Sequence, residues 1–135
     1  MKFLIHSNGP NISTGYGVQT RYLAERLKAA GHDVAISVTY GQQGAMGEWH
    51  GIRLYPCGYE TNGNDILHVH AEHWFDGDKS GWIIPLLDVW CLVNPRLAEF
   101  NVAAWTPVDH YPVPPDVVSF FHRTDAVPIA MSRFG

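Results

Sequence analysis

Several features that would assign this chain to an extracellular or membrane class are missing. Only two cysteines occur, Cys57 and Cys91, and they lie far apart, which argues against a disulfide framework and indicates reduced packing residues. No apolar segment approaches the roughly 18 residues that a transmembrane helix requires. The N-terminal MKFLIH has one lysine and too short an apolar stretch for a signal peptide. We therefore expect a cytoplasmic protein without a transmembrane segment.

Basic charge is also scarce. The chain has 9 Lys and Arg against 13 Asp and Glu, which gives a formal net charge of −4, and it contains no basic run. The electrostatic footprint of a nucleic-acid-binding protein is therefore absent. Apolar residues, in contrast, make up 46% of the chain, which supports a sizeable core and argues against disorder. At 135 residues, the chain is expected to form one domain.

Residues 1–39 have the pattern of a β-loop-α-β unit. The apolar run Lys2–His6 predicts a buried first strand, and the run Val34–Thr39 predicts a second strand. Between them, apolar residues at three- and four-residue spacings predict an amphipathic helix, which Gly31 ends. The apolar helix positions are Val18, Tyr22, Leu23, Leu27 and Ala30. Two strands joined in this way lie parallel in one sheet.

A Gly-rich loop connects the first predicted strand to the helix. Ligands of open α/β sheets sit beyond the carboxyl ends of the strands, which is where Ser13–Gly17 lie. The first two residues of this loop can cap the helix, and its glycines allow close backbone approach. Free N–H groups there attract phosphate, so we predict a phosphate site at Gly15, Tyr16 and Gly17; a capped turn without a ligand is the alternative. No third glycine completes G-x-G-x-x-G and no G-K-[ST] ending occurs, which disfavours a dinucleotide or ATP site.

The remaining pattern predicts strands that alternate with helices. Further strands are predicted at Ile52–Tyr55, Asp65–His70, Trp82–Leu87, Val102–Thr106 and Val127–Met131. Helices are predicted at Pro115–Arg123 and, in part, at Trp90–Phe100, with Ser132 as the N-cap of a further helix. Residues 40–51 read as a loop. The expected fold is α/β, with an open, mostly parallel sheet and helices on both faces.

Three stretches carry a family resemblance. Leu23, Ala24, Leu27, Gly31, His32 and Val34 match the helix pattern L-A-x-x-L-x-x-x-G-H-x-V. Asp65–His70 is similar to a D-V-V-H-x-H strand, and Ile129–Gly135 is similar to an I-A-x-S-x-x strand-to-helix step. In this order and spacing they resemble the N-terminal half of a GT-B glycosyltransferase of the family-4 type. The resemblance implies that residues 1–135 form a Rossmann-like, acceptor-side domain that is incomplete at its end. It also implies that the C-terminal nucleotide-sugar domain is absent.

The same resemblance implies an activity. A sugar would pass from a nucleotide-sugar donor to an acceptor hydroxyl, with no cofactor and no metal. The donor phosphate would contact Gly15, Tyr16 and Gly17. The catalytic residues would be Asp88 and Asp109, and the acceptor-binding residues would be His70, His73, Trp74 and His110. Because the second domain is absent, this chain alone would be catalytically incomplete.

The aspartates and three tryptophans are also candidate sugar contacts by position. Asp88 and Asp109 each follow a predicted strand, where a carboxylate can hold a sugar hydroxyl or raise the basicity of an attacking oxygen. Asp88 can equally cap the following helix. Trp74, Trp90 and Trp105 lie near predicted strand ends, where aromatic faces stack on sugars, although core packing is the alternative.

A histidine-rich motif allows a different chemistry. His68, His70, Glu72 and His73 form H-x-H-x-E-H, close to the H-x-H-x-D-H metal motif of the metallo-β-lactamase fold. Alternation along a strand would place His68 and His70 on one face. Three interpretations stay open: a metal site, a substrate contact by His70 or His73, and structural histidines. Aromatic residues follow the motif instead of a glycine pair, and Glu72 replaces the aspartate, so we expect no bound metal.

Two main functions follow from the sequence. The first is glycosyl transfer, and the second is binding of a nucleotide or sugar phosphate by an α/β domain without catalysis. A metal-dependent hydrolase that uses His68, His70 and His73 is a third, weaker hypothesis. Whether the coding sequence continues beyond Gly135 would decide between the first two.

Overall fold

The computed structural model describes residues 1–108 and 111–131. The strands in this part are β1 Lys2–Ser7, β2 Asp33–Val38, β3 Gly47–Trp49, β4 Ile52–Tyr55, β5 Trp82–Pro85, β6 Asn101–Trp105 and β7 Val127–Ile129. The α-helices are α1 Gly15–Ala29, α2 Leu67–Phe75 and α3 Pro115–Thr124. Short 3-10 helices at Val89–Cys91 and Pro95–Glu99 lie between β5 and β6. The predicted α/β class is confirmed.

The strands form one sheet in the order β3-β4-β2-β1-β5-β6-β7. Every neighbouring pair is parallel except β3 with β4. Without β3, the parallel strands numbered in chain order read 3-2-1-4-5-6, an order found in doubly wound sheets that bind dinucleotides. The direction of strand placement reverses between β1 and β5, and such sheets bind ligands at that switch point. The predicted open, mostly parallel sheet is confirmed.

Helices cover both faces of this sheet, as predicted. On one face, Ile5 of β1 packs in a cluster with Ala24 of α1. On the other face, Leu4 packs in a cluster with Ala71 of α2 and Phe120 of α3. All five side chains have an exposed fraction of 0%. Complete burial stabilises the fold by about 1.5–3 kcal/mol for each of the larger side chains.

Helix α1 begins and ends at the residues that the sequence indicated. Thr14 is the N-cap, in an extended conformation, and its Oγ1 accepts the Gly17 N–H at 3.0 Å. Arg26 and Lys28 lie in the last turn, where positive charge complements the helix dipole. Gly31, with a φ of 93°, follows the end of the helix. The N-terminus of α1 therefore lies at the carboxyl edge of the sheet, just after β1.

The predicted strand Asp65–His70 is wrong, because Leu67–Phe75 forms α2. The buried residues Leu67, Ala71 and Phe75 are spaced by four, which is the period of one helix face. The predicted strand ended at His70, before the four-residue spacing of the buried residues became visible. The helix starts after a turn in which the Gly63 carbonyl accepts the N–H groups of Ile66 and Leu67. Helix α2 therefore makes the crossover from β4 to β5.

Residues 40–51, predicted to be a loop, contain β3, which forms an antiparallel hairpin with β4. Trp49 and Ile52 pair across the turn residues His50 and Gly51. These two residues have φ values of 50° and 78°. A two-residue type I′ hairpin requires positive φ at both positions, which Asn-Gly and Asp-Gly signal more strongly than His-Gly.

The other predicted elements shift only at their ends. Strand β5 ends at Pro85 instead of Leu87, although Leu86 still bridges to Trp105. Strand β7 ends at Ile129 instead of Met131.

The predicted helical stretch Trp90–Phe100 becomes two 3-10 helices, because Asn94 and Pro95 start a second turn there. Ser132, the predicted N-cap, lies outside the described residues. None of the helices in the described part is both long and apolar enough to cross a bilayer.

Candidate functional site

Two adjacent strand ends form the switch point at the carboxyl edge. Strand β1 leads into the loop before α1, and β5 leads through Leu86 and Leu87 to Asp88. The two strands are hydrogen-bonded neighbours, with His6 opposite Pro85. The Gly-rich loop and Asp88, which the sequence predicted separately, therefore follow neighbouring strands at one edge of the sheet.

The loop before α1 is held by side chains that sequence reasoning missed. Asn8 donates its Nδ2–H to Thr14 Oγ1 at 2.8 Å and accepts the Thr39 hydroxyl at its Oδ1 at 3.0 Å. The Gly9 N–H donates to the Tyr40 carbonyl at 2.7 Å. These bonds tie the loop to the end of β2 and fix the helix cap. A Ser-Thr-Gly pattern signals a cap, but nothing local in the sequence identifies Asn8 as its partner.

The two glycines of the predicted phosphate site differ. Gly17 is buried and its N–H is used by the Thr14 cap, so the prediction that this N–H is free for phosphate is wrong. A Cβ at Gly17 would collide with the carbonyl oxygen of Ile12. Gly15 is exposed, a Cβ there would meet no atom within 4 Å, and no described residue accepts its N–H. Tyr16, between them, packs its ring against the core.

Asp88 borders a cleft at the carboxyl ends of β5 and β6. The cleft has a volume of about 360 Å³ and is lined by Asp88, Trp90, Pro107, Val108, Pro114, Asp116 and Val117. Asp88 precedes a 3-10 helix but its side chain makes no capping hydrogen bond, so the structure does not support the cap alternative. The Trp90 side chain is 52% exposed beside it. Sequence reasoning missed Asp116, whose only signal was its place in the first turn of a Pro-initiated helix.

The other predicted carboxylate, Asp109, and the predicted acceptor residue His110 lie outside the described residues. Their roles stay predictions. The flanking residues Pro107 and Val108 line the same cleft as Asp88. The chain therefore passes along this cleft just before Asp109.

Trp74 lies at the opposite edge of the sheet from its predicted position. Its Nε1–H donates to the Phe3 carbonyl at 3.0 Å, and its own carbonyl accepts from Lys2 Nζ at 3.0 Å. Lys2 and Arg53 also place their cationic groups over its ring. Because Lys2 and Phe3 begin β1, the prediction that Trp74 lies near the strand carboxyl ends is wrong.

Trp105 ends β6, as predicted, at the carboxyl edge. Its ring borders a second cavity with Gln19, Tyr22, Leu23 and Arg26 of α1. Its buried Nε1 has no hydrogen-bond partner among the described residues. The ring thus faces the α1 side of the sheet, away from the Asp88 cleft.

The H-x-H-x-E-H motif lies on α2, so its histidines do not alternate along a strand. His68 Nδ1 lies 3.2 Å from Asn94 Nδ2, and His73 Nδ1 lies 2.7 Å from the Tyr55 hydroxyl. Glu72 forms an ion pair with Arg96. Within residues 1–108 and 111–131, no group of three or more potential ligands is placed to hold a metal ion. His70 and His73 do not line the Asp88 cleft, so their predicted acceptor role lacks the expected position.

A buried polar chain explains His70 instead. Its Nδ1 lies 2.8 Å from Ser37 Oγ, which lies 3.0 Å from His6 Nδ1. Its ring also stacks on Tyr55, with 4.8 Å between ring centroids. Burial, together with the neighbouring His6, lowers the pKa of His70 to about 4. Burial also lowers the pKa of His6, a residue that sequence reasoning treated only as strand.

Comparison with known proteins adds no assignment. No protein-family model matches the chain, and no curated protein matches it significantly. The function is therefore inferred from the carboxyl edge of the sheet. This edge has the exposed start of α1, the cleft at Asp88, and the residues that hold them.

Proposed function

We propose that this chain is the N-terminal, acceptor-side domain of a GT-B glycosyltransferase of the family-4 type. Such an enzyme transfers a sugar from a nucleotide-sugar donor to an acceptor hydroxyl. One observation carries the proposal: the N-terminus of α1 and Asp88 follow the two neighbouring strands that flank the switch point. A phosphate-attracting group and a carboxylate thus share one edge of a doubly wound sheet.

The donor side of the proposal depends on Gly15. Its N–H lies in the first turn of a 15-residue helix, where the helix dipole favours negative charge. The absence of a side chain leaves the approach to this backbone open. Gly17 supports the site indirectly, because it lets the chain pass close to Ile12 and gives its N–H to the cap. In this proposal Gly15 donates to a donor phosphate oxygen, and the Thr14 cap keeps that N–H in place.

The acceptor side depends on Asp88 and Trp90. The Asp88 carboxylate can accept the hydrogen of an acceptor hydroxyl, which positions that oxygen and raises its basicity. The exposed face of Trp90 suits the C–H surface of a sugar ring. The prolines in the cleft wall make its backbone stiff, which favours a preformed site. In this proposal Asp109 and His110, which lie outside the described residues, keep the catalytic and acceptor-binding roles that the resemblance implies.

Binding without catalysis is the alternative that the same edge supports, because the start of α1 can attract a phosphate without a catalytic residue. The metal-dependent hydrolase is not supported, since its histidines lie on a helix with separate partners. The proposal places the protein in the cytoplasm, in keeping with its two free cysteines.

The test is titration of the isotope-labelled chain with UDP, GDP and ADP, each with and without an attached hexose, followed by NMR. We expect one nucleotide family to shift the Gly15 amide, and the attached hexose to add shifts at Val89 and Trp90. Gly15→Val should weaken binding by about tenfold or more, roughly 1.4 kcal/mol, as expected for a lost charge-assisted hydrogen bond. Ala29→Val, at the exposed far end of α1, is the matched control. Shifts confined to other surfaces would refute the proposal, and hexose-independent binding would favour the non-catalytic alternative.

A further inference from the structure

His6 is the centre of a buried polar chain that joins four parts of the fold. Its side chain has an exposed fraction of 0%. Its Nε2 lies 2.7 Å from the Asn62 carbonyl oxygen, and its Nδ1 lies 3.0 Å from Ser37 Oγ. Ser37 Oγ in turn lies 2.8 Å from His70 Nδ1. The chain thus connects β1, β2 and α2 with residues 57–66, which we call the clamped loop.

The order of donors along this chain follows from its one fixed acceptor. A carbonyl oxygen can only accept, so the proton of His6 is on Nε2 and donates to Asn62. His6 Nδ1 is then an acceptor, to which the Ser37 hydroxyl donates. The Ser37 oxygen accepts from His70 Nδ1–H. With both rings neutral, which their burial favours, the two histidines have opposite tautomers and the Ser37 hydroxyl donates to His6.

Burial opposes an additional proton on His6, and the hydrogen bonds to Asn62 and Ser37 and the more distant Glu60 offset this effect only in part. Among the described residues, no carboxylate oxygen lies within 4.0 Å of either ring. Glu60 and Asp65 of the clamped loop act on the rings only at longer range, and Tyr55 of β4 offers its neutral ring. The other titratable groups that act on His70 are His6, His68 and His73, which all oppose its protonation. Because burial is the largest effect on both rings, loss of hydration is what most disfavours an imidazolium in the closed form.

Water can reach the His6 ring only if the clamped loop moves. Gly63, with a φ of 82°, packs directly against this ring, and no side chain could fit at that position. Glu60 closes the loop on itself by accepting the N–H groups of Asn62 and Asn64 at 3.0 and 2.8 Å. The loop is therefore a compact cover over the His6 ring, which holds it through the Asn62 carbonyl, while Cys57 and Asn64 bond to neighbouring segments.

We propose that the His6–Ser37–His70 chain is a pH-sensitive clamp, which holds residues 57–66 on the carboxyl edge at neutral pH and releases them in acid. The inference does not depend on glycosyl transfer. Burial lowers the pKa of both histidines, so the closed loop disfavours their protonated forms. An open loop restores ordinary histidine protonation, so acid favours the open form by linkage.

The clamp also reaches the Asp88 cleft. The Asn64 side chain donates to the Cys91 carbonyl at 2.8 Å and accepts the Val93 N–H at 2.8 Å. Cys91 and Val93 alternate with Trp90 and Leu92 in the segment that follows Asp88. Release of the clamped loop therefore frees one wall of the cleft, and the switch would act on whatever ligand the cleft binds.

Amide hydrogen exchange of the intact chain, measured by NMR between pH 7 and pH 5, tests the clamp. Protection factors correct for the intrinsic pH dependence of exchange. We expect protection of the Asn62, Gly63 and Asn64 amides to fall by roughly tenfold per pH unit below about pH 6, as one histidine released to its ordinary pKa requires. Amides in β1 and β2 open only with the whole fold, so their protection should follow the global stability measured by urea unfolding at the same pH. Clamped-loop protection that stays constant over this range would overturn the proposal.

One substitution with a matched control tests the role of His6. His6→Gln retains an N–H that can reach Asn62 but cannot titrate, so it should reduce the pH dependence of loop protection and leave only the contribution of His70. His122→Gln, on the exposed side of α3, is the matched control and should leave the pH dependence unchanged. An unchanged pH dependence in His6→Gln, or its loss in the control, would refute the assignment to His6.

The wild-type chain provides a test that does not require a variant to fold. Nitrogen-15 NMR of the histidine rings distinguishes the two tautomers directly. We expect a proton on Nε2 of His6 and on Nδ1 of His70 at pH 7. The reverse tautomer at either ring would contradict the proton order on which the clamp depends.

Discussion

At the scale of single residues, two glycines in one loop have different structural roles. A Cβ added to Gly17 would collide with the Ile12 carbonyl oxygen, whereas one added to Gly15 would meet no atom within 4 Å. We expect Gly17→Ala to lower the free energy of unfolding by about 1–3 kcal/mol, as overpacking does. Gly15→Ala should change it by less than about 1 kcal/mol. Urea unfolding of both variants measures the difference, and equal losses would contradict this account.

The buried histidines predict how global stability depends on pH. His70 has a pKa of about 4 in the folded protein, below its ordinary value of 6.5. The unfolded chain therefore binds more protons between these values, so stability is complete above about pH 6.5 and decreases as the pH falls toward 4. The loss from this one residue is at most about 3 kcal/mol. Urea unfolding at pH 7.5, 6 and 5 should show this decline, and His70→Gln should reduce it; a flat profile in the wild type would exclude it.

Sequence reasoning found the residues whose chemistry is visible in a local pattern. Gly15 and Asp88 were identified because each follows a predicted strand, and parallel strands bring their carboxyl ends to one edge. Asn8 and His6 were missed because each has partners that are distant in sequence. Asn8 bonds to Thr39, just after β2, as well as to the nearby Thr14, and His6 bonds to Ser37 on β2 and to Asn62. A polar residue gains such a role only through the tertiary fold, which no local spacing records.

At the scale of secondary structure elements, the cap of α1 determines the geometry of the switch point. Thr14 Oγ1 accepts from both the Gly17 N–H and Asn8 Nδ2. Thr14→Ala would leave these two donors without their acceptor, so we expect a loss of about 1–2 kcal/mol in the free energy of unfolding. Thr14→Ser retains the oxygen and is the matched control, with a smaller loss. If serine and alanine at this position prove equally destabilising, the cap is not what stabilises this end of α1.

The elements that sequence reasoning placed correctly are those with a long, single hydrophobic period. Helix α1 and strands β1 and β2 are of this kind, and their bounds differ from prediction by only a few residues. Helix α2 was mistaken for a strand because a short apolar window fits both periods, and the helical face is completed only by Ala71 and Phe75, which lie beyond that window. Strand β3 was missed because it has three residues and depends on pairing with β4. For α2 the packing of its buried face in the core decided the outcome, and for β3 the hairpin pairing with β4 did.

At the scale of the whole molecule, the two edges of the sheet differ in the groups that could bind an anionic ligand. The amino edge has a cavity of about 340 Å³ whose lining includes Lys28, His32 and Arg53, together with Trp74. The carboxyl edge has the start of α1 and, beside it, the acidic Asp88. Lys28 and Arg53 attract an anion to the amino edge, although Asp33 and Glu48 in the same lining oppose this attraction. The strand order, in contrast, favours the carboxyl edge. Lys28 already donates to the His50 carbonyl at 2.9 Å, and Arg53 lies over the Trp74 ring, so both cations serve the fold.

We therefore expect a nucleotide sugar to bind the carboxyl edge despite the cations at the amino edge. The double substitution Lys28→Gln with Arg53→Gln should leave the dissociation constant within about twofold, roughly 0.4 kcal/mol, because directed N–H groups and not diffuse charge hold the phosphate. Isothermal titration calorimetry at two salt concentrations measures this, with the nucleotide sugar that binds best among the UDP, GDP and ADP series. Affinity that collapses in the double variant, and falls steeply with salt in the wild type, would instead place the ligand in the amino-edge cavity. The strand order would then have no bearing on where this protein binds its ligand.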